Sequence, residues 1–168
     1  VKNNTYDKRM RTTLISVNDG KVMNIALTLD GVGNPTSLKQ QHGDTSFTNQ
    51  YTFDANYRLT QAKVGADGEV MTYNQDELHN ITKKSSSLGN KSPAHIGDFE
   101  YDSNRVHAVV KAGTYTIKYD KAGNMLQRND VTMTWDYMNR LREAKRGGET
   151  IARNWYDDEH RRIIKEED

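Results

Sequence analysis

Seven aspartates recur along the chain, each directly after a large apolar or aromatic residue. A row of carboxylates can bind divalent cations, and a pair of them can act as acid and base in glycoside hydrolysis. In tight turns, however, Asp accepts hydrogen bonds from backbone N–H groups two residues on. Because every one of these aspartates opens the same kind of turn sequence, we interpret them as turn builders. They are Asp7, Asp30, Asp54, Asp102, Asp120, Asp136 and Asp157.

Other candidate ligands and catalysts are weaker. The segment Asp157-Asp158-Glu159-His160 brings carboxylates and an imidazole close together, so a divalent cation is the alternative to a turn there. It occupies the variable slot of the last turn, with His160 in place of the usual Gly. The other histidines have no metalloprotease spacing and no Cys or Ser partner of a recognised motif type. They are His42, His79, His95 and His107. We therefore predict no catalytic residue, no metal site and no cofactor.

Composition narrows the classes of partner. The 24 basic and 23 acidic residues nearly cancel, so no bulk charge favours nucleic acid or an anionic membrane. No apolar run is long enough for a membrane helix, and we predict no membrane insertion by this segment. The absence of Cys removes disulfides and thiol chemistry. The apolar content is only 34%, but the aromatic residues recur in register, which favours a folded chain.

The aspartates belong to aromatic-Asp steps that return about every 21 residues. This periodicity is typical of repeat proteins, in which each unit stacks on its neighbours to bury a shared core. Two steps are degenerate, since Leu29 replaces the aromatic residue and Asn74 replaces the acid. The eight steps are Tyr6-Asp7, Leu29-Asp30, Phe53-Asp54, Tyr73-Asn74, Tyr101-Asp102, Tyr119-Asp120, Trp135-Asp136 and Tyr156-Asp157. No terminal unit resembles a cap, so we treat the chain as a segment of a larger array.

The residues around each step predict strands. Met133-Thr134-Trp135 alternates apolar and polar residues, and after each turn Arg or Asn restarts the alternation, as in Arg58-Leu59-Thr60. Second turns between the hairpins are predicted at Asn18-Asp19-Gly20, Ala66-Asp67-Gly68, Lys111-Ala112-Gly113 and Arg146-Gly147-Gly148. The pattern predicts an all-β chain of about eight repeated hairpins in a meandering, curved sheet. Residues 84–97 are predicted to form a protruding loop, with a domain boundary as the alternative.

The residue that closes the turns alternates between Arg and Asn over most of the chain, which favours a superperiod of two hairpins. We expect the stems of Arg58, Arg105 and Arg140 to pack on the sheet with their head groups on a neighbouring turn carboxylate; binding of a partner is the alternative. The residues predicted to anchor the repeats are Tyr6, Asp7, Phe53, Asp54, Arg58, Tyr73, Tyr101, Asp102, Arg105, Tyr119, Asp120, Gly123, Asn124, Trp135, Asp136, Arg140, Tyr156, Asp157 and Arg161.

Two segments carry a family resemblance. Residues 119–125 (YDKAGNM) and 53–60 (FDANYRLT) resemble the RHS or YD-repeat family, whose units carry Tyr-Asp, a Gly turn, then Arg or Asn, Leu and Thr. The resemblance spans nearly the whole chain. The last third, from Trp135-Asp136 to Lys165, is similar to the final repeats before the core-associated domain of bacterial Rhs toxins and of Tc toxin B and C components. Teneurins are a more distant branch.

The resemblance implies a β-sheet strip that spirals into a hollow shell, which in related toxins encloses a C-terminal toxic domain until delivery. It implies, as partners, neighbouring repeats and the core-associated domain of the same chain, together with the enclosed toxin domain. It also implies a secreted or surface-associated bacterial protein. The Asp-Pro-x-Gly pattern of the self-cleaving core region is absent from the sequence. We therefore expect neither an autoprotease nor a toxin domain in this segment.

Three functions follow from these patterns. The first is a non-catalytic shell segment that encapsulates a toxin and helps to deliver it. The second is a surface adhesin that binds carbohydrate or protein through exposed Tyr and Trp side chains and the Ser-rich loop. The third is a glycosidase that uses two of the repeat aspartates, for which we expect no activity.

Overall fold

The computed structural model describes residues 1–65 and 68–167, and these residues form an all-β protein with a single short 3-10 helix at Gly89–Lys91. The predicted fold class of repeated antiparallel hairpins is thereby confirmed. The chain divides into two compact units, Val1–Gly97 and a second unit that begins at Asp98. In each unit the strands pair antiparallel in chain order. No helix in the described residues is long and apolar enough to cross a membrane.

The first unit contains eight strands. They are β1 (Lys2–Tyr6), β2 (Thr12–Val17), β3 (Met23–Leu29), β4 (Pro35–His42), β5 (Thr45–Phe53), β6 (Leu59–Val64), β7 (Glu69–Gln75) and β8 (Ile81–Ser86). Each of these strands pairs with the next, from β1 with β2 through to β7 with β8. Such a meander needs only short reversals, because antiparallel neighbours can be joined by a tight turn.

The second unit repeats the same plan. Its strands are β9 (Gly97–Tyr101), β10 (Val109–Ala112), β11 (Tyr115–Tyr119), β12 (Met125–Arg128), β13 (Val131–Trp135), β14 (Leu141–Arg146), β15 (Glu149–Tyr156) and β16 (Arg162–Glu167). Pairing again runs from each strand to its successor. A register shift accompanies the turn after β1, β3, β5, β7, β9, β11, β13 and β15. Such shifts are typical of β-bulges. We call the edge of each sheet that carries these turns the bulged edge.

The reversals at the opposite edge differ from the predicted positions by a few residues. The turn at Asn18-Asp19-Gly20 lies where the sequence places it, between β2 and β3. Lys111 and Ala112 instead extend β10, so that turn begins at Gly113 (φ 55°), and Arg146 likewise ends β14. Two further turns, at Gly43-Asp44 and Asn129-Asp130, were not predicted. The predicted turn at Ala66-Asp67-Gly68 lies partly outside the described residues.

The prediction that Tyr73-Asn74 opens a turn is wrong. Both residues lie inside β7, and the turn begins two residues later at Asp76, whose carboxylate accepts the backbone N–H of Leu78 at 2.9 Å. The residue before this Asp is Gln75 rather than an aromatic residue. An aromatic residue marks the step in most other repeats, and here the nearest one is Tyr73. The predicted turn therefore lies two positions before the turn that the structure shows. No acid is missing from this repeat.

Each sheet has one apolar and one polar face. Residues paired across strands share a face, so Tyr51, Ala62 and Met71 lie on one face while Thr52, Gln61 and Thr72 lie on the other. In the second unit, Met133, Ala144 and Ala152 share the apolar face in the same way. Only five apolar residues of the described chain are buried: Ala62, Met71, Ala112, Val131 and Ala144. The rest of the apolar face is half-buried.

The segment predicted as a loop over 84–97 begins later and is held against the sheet. β8 continues to Ser86, and the 3-10 turn follows it. The Glu69 carboxylate of β7 accepts hydrogen bonds from the hydroxyls of Ser86, at 2.7 Å, and Ser92. Both serines are less than 10% exposed, while the Ile96 N–H donates to the Lys84 carbonyl. The loop is therefore tied back to β7 and β8 by its buried polar groups.

Met71 gives a test of the half-open core. It is 5% exposed on the apolar face of β7, whereas Met10 is 76% exposed in a turn. Met71→Ala should lower the free energy of unfolding by about 2–4 kcal/mol through lost burial and a residual cavity. The matched control Met10→Ala should change it by no more than about 0.5 kcal/mol. Urea unfolding followed by circular dichroism measures both, and equal effects would contradict the burial assigned to Met71.

Candidate functional site

The repeated feature at the bulged edge is a turn closed around one Asp carboxylate. In the third turn the Asp54 N–H donates to the Arg58 carbonyl at 2.9 Å. Asp54 Oδ1 accepts from the backbone N–H groups of Asn56 and Arg58, both at 2.9 Å, and Oδ2 accepts from Arg58 Nε at 2.7 Å. A single carboxylate thus satisfies two main-chain donors and one side-chain donor. We call this arrangement the Asp clamp.

The Asp clamp recurs with either Arg or Asn four residues after the acid. Arg closes it around Asp7, Asp136 and Asp157, with Nε–Oδ2 distances of 2.6, 2.8 and 2.9 Å. Asn closes it through Nδ2 around Asp30, Asp76 and Asp120, at 2.9, 3.1 and 2.9 Å. Both side chains serve because each can donate one N–H to the second carboxylate oxygen. The closing residues are Arg11, Asn34, Arg58, Asn80, Asn124, Arg140 and Arg161.

The turn after β9 departs from this pattern. Asp102 accepts the N–H groups of Asn104 and Arg105, but its own N–H donates to the carbonyl of Ala108. The turn therefore contains two more residues than the others. Arg105 comes three rather than four residues after the acid, and its Nη2 lies 3.7 Å from the carboxylate. Its clamp is the loosest of the Arg clamps.

The third residue after the Asp adopts a left-handed conformation in these turns. Gly33 and Gly123 meet this requirement without a Cβ, with φ of 115° and 91°. Non-glycine residues with φ between 58° and 66° occupy the same position in the five other regular turns: Met10, Tyr57, His79, Asn139 and His160. The bonds of the clamp hold these residues in a conformation that they adopt rarely on their own.

Arg clamps also link successive turns. The Nη1 group of Arg58 donates to the Asp76 carbonyl at 2.7 Å, and Arg11, Arg105 and Arg140 reach the carbonyls of Asp30, Asp120 and Asp157 at 3.1, 3.0 and 3.3 Å. We expected these guanidinium groups to lie on a neighbouring turn carboxylate. The carboxylate instead belongs to the same turn, and the neighbouring turn supplies a main-chain carbonyl. Three of the four links run from an Arg turn to the Asn turn that follows it, and the fourth runs from the Arg140 turn to the turn closed by Arg161.

The residue before the Asp supports the link from the next hairpin. Arg105 and Arg140 lie over the rings of Tyr119 and Tyr156, 5.5 and 4.7 Å from the ring centroids. The side chain before the Asp can also donate to a main-chain carbonyl of the preceding repeat. The acceptor is the residue that directly follows the closing Arg or Asn of that repeat. The three donors differ chemically: Gln75 donates to Leu59 at 3.1 Å, Trp135 to Met125 at 2.8 Å and Tyr156 to Leu141 at 2.9 Å. Gln75 therefore replaces an aromatic residue while keeping its hydrogen bond.

The clamps hold the turn carboxylates ionised. Backbone hydrogen bonds from the residue four positions on are the largest cause that lowers the pKa of Asp7, Asp54 and Asp157 below its usual value. In Asp136 desolvation is the largest influence and opposes the change, but the bonds from Arg140 outweigh it and the pKa is lowered. A glycosidase acid needs the opposite shift, toward a raised pKa. These aspartates are therefore suited to holding turns and poorly suited to proton transfer.

Away from the Asp clamps, the carboxylate of Glu143 has three donors. Glu143 accepts from Arg153 at 2.9 Å, Thr150 at 3.0 Å and Lys145 at 2.9 Å. Its bonds from Lys145, then Arg153, lower its pKa to about 2. It lines a shallow groove of about 320 Å³ with Trp155. Among residues 1–65 and 68–167, no group of three or more His, Cys, Asp or Glu side chains could hold a metal ion.

Hairpins in chain order, with an Asp-centred turn after every second strand, define a YD-repeat protein. The chain belongs to the teneurin YD-shell family, whose model matches residues 2–168. The recognition of an RHS/YD-repeat chain is thus confirmed, and the chain is a segment of a YD shell. A search of curated protein sequences finds no significant match.

Solved structures share this fold at low sequence identity. A Photorhabdus luminescens Tc holotoxin pore, mutated in its TccC3 component, aligns with a TM-score of 0.72 at 20% identity over 98% of this chain. TcdB2-TccC3 aligns at 0.66 and 11% over 96%, and its form without the hypervariable C-terminal region aligns at 0.64 and 11% over 96%. This chain spans 10% of each of those chains.

Asp76 was not predicted as a turn residue, although Asn80, which closes its clamp, belongs to the predicted alternation of Arg and Asn. Asp76 and Asn80 stand four positions apart, as do Asp54 and Arg58. A search for Asp followed at the fourth position by Arg or Asn would have located the turn after β7 without any aromatic residue. The acceptor of the Arg link has no such signal, because it is a main-chain carbonyl in the next hairpin.

Arg58 and Arg161 separate the link between turns from the clamp within a turn. Both donate Nε to their own Asp, but Arg58 also donates to the next turn and is 21% exposed, whereas Arg161 is 70% exposed. Arg58→Lys loses the planar fork that makes both contacts, and its Tm should fall by about 2–6 °C. Arg161→Lys should lower Tm by no more than about 1 °C. Equal shifts in a thermal melt would contradict the link.

The clamp carboxylates also predict a pH dependence. Their pKa is lowered in the folded chain, so their stabilisation is present above the unfolded value of about 3.9 and lost as pH falls through the folded value. The stability difference between the native chain and Asp54→Asn should therefore be constant from about pH 7 to about pH 5 and shrink below about pH 4. Urea midpoints measured across this range test the expectation. A difference that shrinks above about pH 5 would show that Asp54 is not held ionised.

Proposed function

We propose that this chain is a non-catalytic wall segment of a larger bacterial protein, secreted or displayed at the cell surface, whose repeat shell encloses a C-terminal toxin domain and helps to deliver it. The observation that carries the proposal is the Arg link, which joins the turn of one hairpin to the turn of the next along one edge of the sheet. The link joins the turns in pairs, and the antiparallel pairing of neighbouring strands continues the wall between the pairs within each unit.

The energetics of the sheet suit such a wall. An isolated hairpin is marginal in water, and its stability increases when further strands extend the sheet. Each described strand pairs only with its chain neighbours, so stability is distributed from unit to unit as in other repeat proteins. No described side chain is fully buried, and the half-buried apolar face leaves surface for contact with other parts of a parent protein.

The partners follow from the same proposal. Neighbouring repeats and the core-associated domain of the same chain would continue the wall, and the toxin domain would lie inside it. One of the Tc structures with this fold is TcdB2-TccC3 without its hypervariable C-terminal region. A variable C-terminal region is also what we propose for the parent of this chain.

A surface-binding module is the second candidate. It is favoured by Tyr137, which is 90% exposed at the turn after β13, and by Tyr57, which is 59% exposed at the turn after β5. Exposed aromatic side chains are common at binding surfaces. The Ser-rich loop adds little to this candidate, because Ser86 and Ser92 are buried against Glu69.

Protection of the parent protein's C-terminal domain tests the shell. The native protein is treated with a nonspecific protease, and the products are identified by intact-mass and peptide analysis. A shell predicts a variable C-terminal domain that resists cleavage inside the parent but is digested when it is expressed alone. The same digestion of the parent in denaturant provides the control. A C-terminal domain digested equally fast in both settings, or a chain that continues into an anchor, would favour the surface-binding module.

A further inference from the structure

One tryptophan lies on the polar face of the second unit. Strand pairing places Glu143 opposite Arg153, and Trp155, two residues further along β15, shares their face. The position two residues before the turn Asp carries a polar side chain in every other repeat. Those residues are Thr5, Thr28, Thr52, Asn74, Glu100, Lys118 and Thr134. Trp155 therefore places an aromatic surface where the other repeats are polar.

Arg142 departs from the repeat pattern in the same way. It is the second residue after the closing Arg140, a position at which four earlier repeats carry Thr. Within residues 1–65 and 68–167, the Arg142 guanidinium has no hydrogen-bond or ion-pair partner, and the residue is exposed. The equivalent threonines are Thr13, Thr36, Thr60 and Thr82. Arg142 thus replaces a short polar side chain with a long cation that the sheet does not use.

These two departures meet in one groove. Arg142 and Trp155 line it together with Thr134, Glu143 and Arg153, and its volume is about 320 Å³. Small-molecule sites have volumes of about 300–1,000 Å³, so this groove has room for a small ligand. Both residues that break the repeat pattern are therefore in position to contact the same ligand.

Trp155 offers the groove an apolar surface and a free donor. The other tryptophan, Trp135, donates its indole N–H to the Met125 carbonyl at 2.8 Å. In the described part of the chain the half-buried Trp155 has no such acceptor, although indole N–H groups usually find one. Ile164, opposite Trp155 on β16 and 49% exposed, extends the apolar surface. This combination suits a ligand with an apolar face and hydroxyl groups.

The charge around the groove favours an anion. Arg153 and Lys145 both contact the Glu143 carboxylate at 2.9 Å, and Glu166 lies opposite Arg153 on β16. With Arg142 included, three cations stand against two anions. A guanidinium binds a carboxylate through two parallel N–H bonds, which makes Arg142 suited to hold a carboxylate group.

We propose that this groove binds a sugar that carries a carboxylate, such as a uronic acid. Arg142 binds the carboxylate, Trp155 packs on the apolar face of the sugar ring, and the ring hydroxyls bond to the indole N–H and to Thr134. A neutral sugar gives Arg142 no anion, and a small carboxylate gives Trp155 no ring. The site consists of residues of this chain alone and does not depend on whether the parent protein is a shell or a surface-binding module.

NMR of the indole N–H signals tests the site, with methyl β-D-glucuronide as the probe. About 0.15 M salt screens unspecific attraction between exposed charges. The Trp155 signal should shift with a Kd of about 0.1–1 mM, as expected for a small open site, while the Trp135 signal serves as the internal reference. Methyl β-D-glucoside and acetate should each bind at least about tenfold more weakly.

Two variants restore the residue that other repeats carry. Arg142→Thr should lower the affinity for the glucuronide by about tenfold and make it similar to that for the glucoside. Trp155→Thr should abolish the binding of both sugars, followed by saturation-transfer NMR of the sugar signals. Arg146→Thr is the matched control, because Arg146 also belongs to β14 and is 60% exposed but contacts Asp130. Its affinity for the glucuronide should equal that of the native chain.

Three results would overturn the proposal. The first is a Trp155 signal that stays in place at about 10 mM glucuronide. The second is native affinity in both Arg142→Thr and Trp155→Thr. The third is acetate, or a short peptide containing Glu, that binds as tightly as the glucuronide, which would indicate a general anion or protein site. If Trp155→Thr does not fold, Arg142→Thr and the preference for the glucuronide decide. Enclosure of a toxin domain is measured separately by protease protection.

Discussion

The structure depends on one interaction, the acceptance of main-chain N–H groups by the Asp carboxylate in each turn of the bulged edge. Asp54 shows the full arrangement, with two backbone donors and one Arg58 donor on a single side chain. Tight reversals leave backbone groups without partners, and a buried or half-buried orphan costs about as much as a lost hydrogen bond. The carboxylate satisfies these groups at the place where the strands diverge. The register shifts of the paired strands lie directly beside these turns.

The Arg link builds on the same carboxylate. Because Nε is held by the Asp of its own turn, the rigid guanidinium directs Nη1 at the next turn. Arg140 illustrates the consequence, since it joins Asp136, the Asp157 carbonyl and the ring of Tyr156. One residue therefore couples a clamp, a neighbouring hairpin and an aromatic anchor. Few side chains are buried in these sheets. The contacts of Arg140 therefore stabilise the hairpins in addition to the hydrogen bonds between strands.

Much of this architecture could be predicted from the sequence, because period-two alternation and Asp turns are local signals. The all-β fold and the structural role of most repeat aspartates follow from such signals. The displaced turn at Tyr73-Asn74 shows their limit, since Gln75 replaces the aromatic marker but keeps its hydrogen bond to Leu59. The Arg acceptors and the packing of Ser92 against Glu69, 23 residues away, depend on contacts between hairpins. Local patterns do not specify such contacts.

Amide hydrogen exchange at the two edges of the sheets tests the central role of the Asp clamp most directly. The N–H groups of Arg58, Asn80, Asn124 and Arg140 are bound by clamp carboxylates. The account predicts that they exchange about as slowly as amides inside neighbouring strands, and far more slowly than those of the opposite-edge turns at Gly43-Asp44 and Gly147-Gly148. Clamp amides that exchange as fast as those opposite turns would contradict the account.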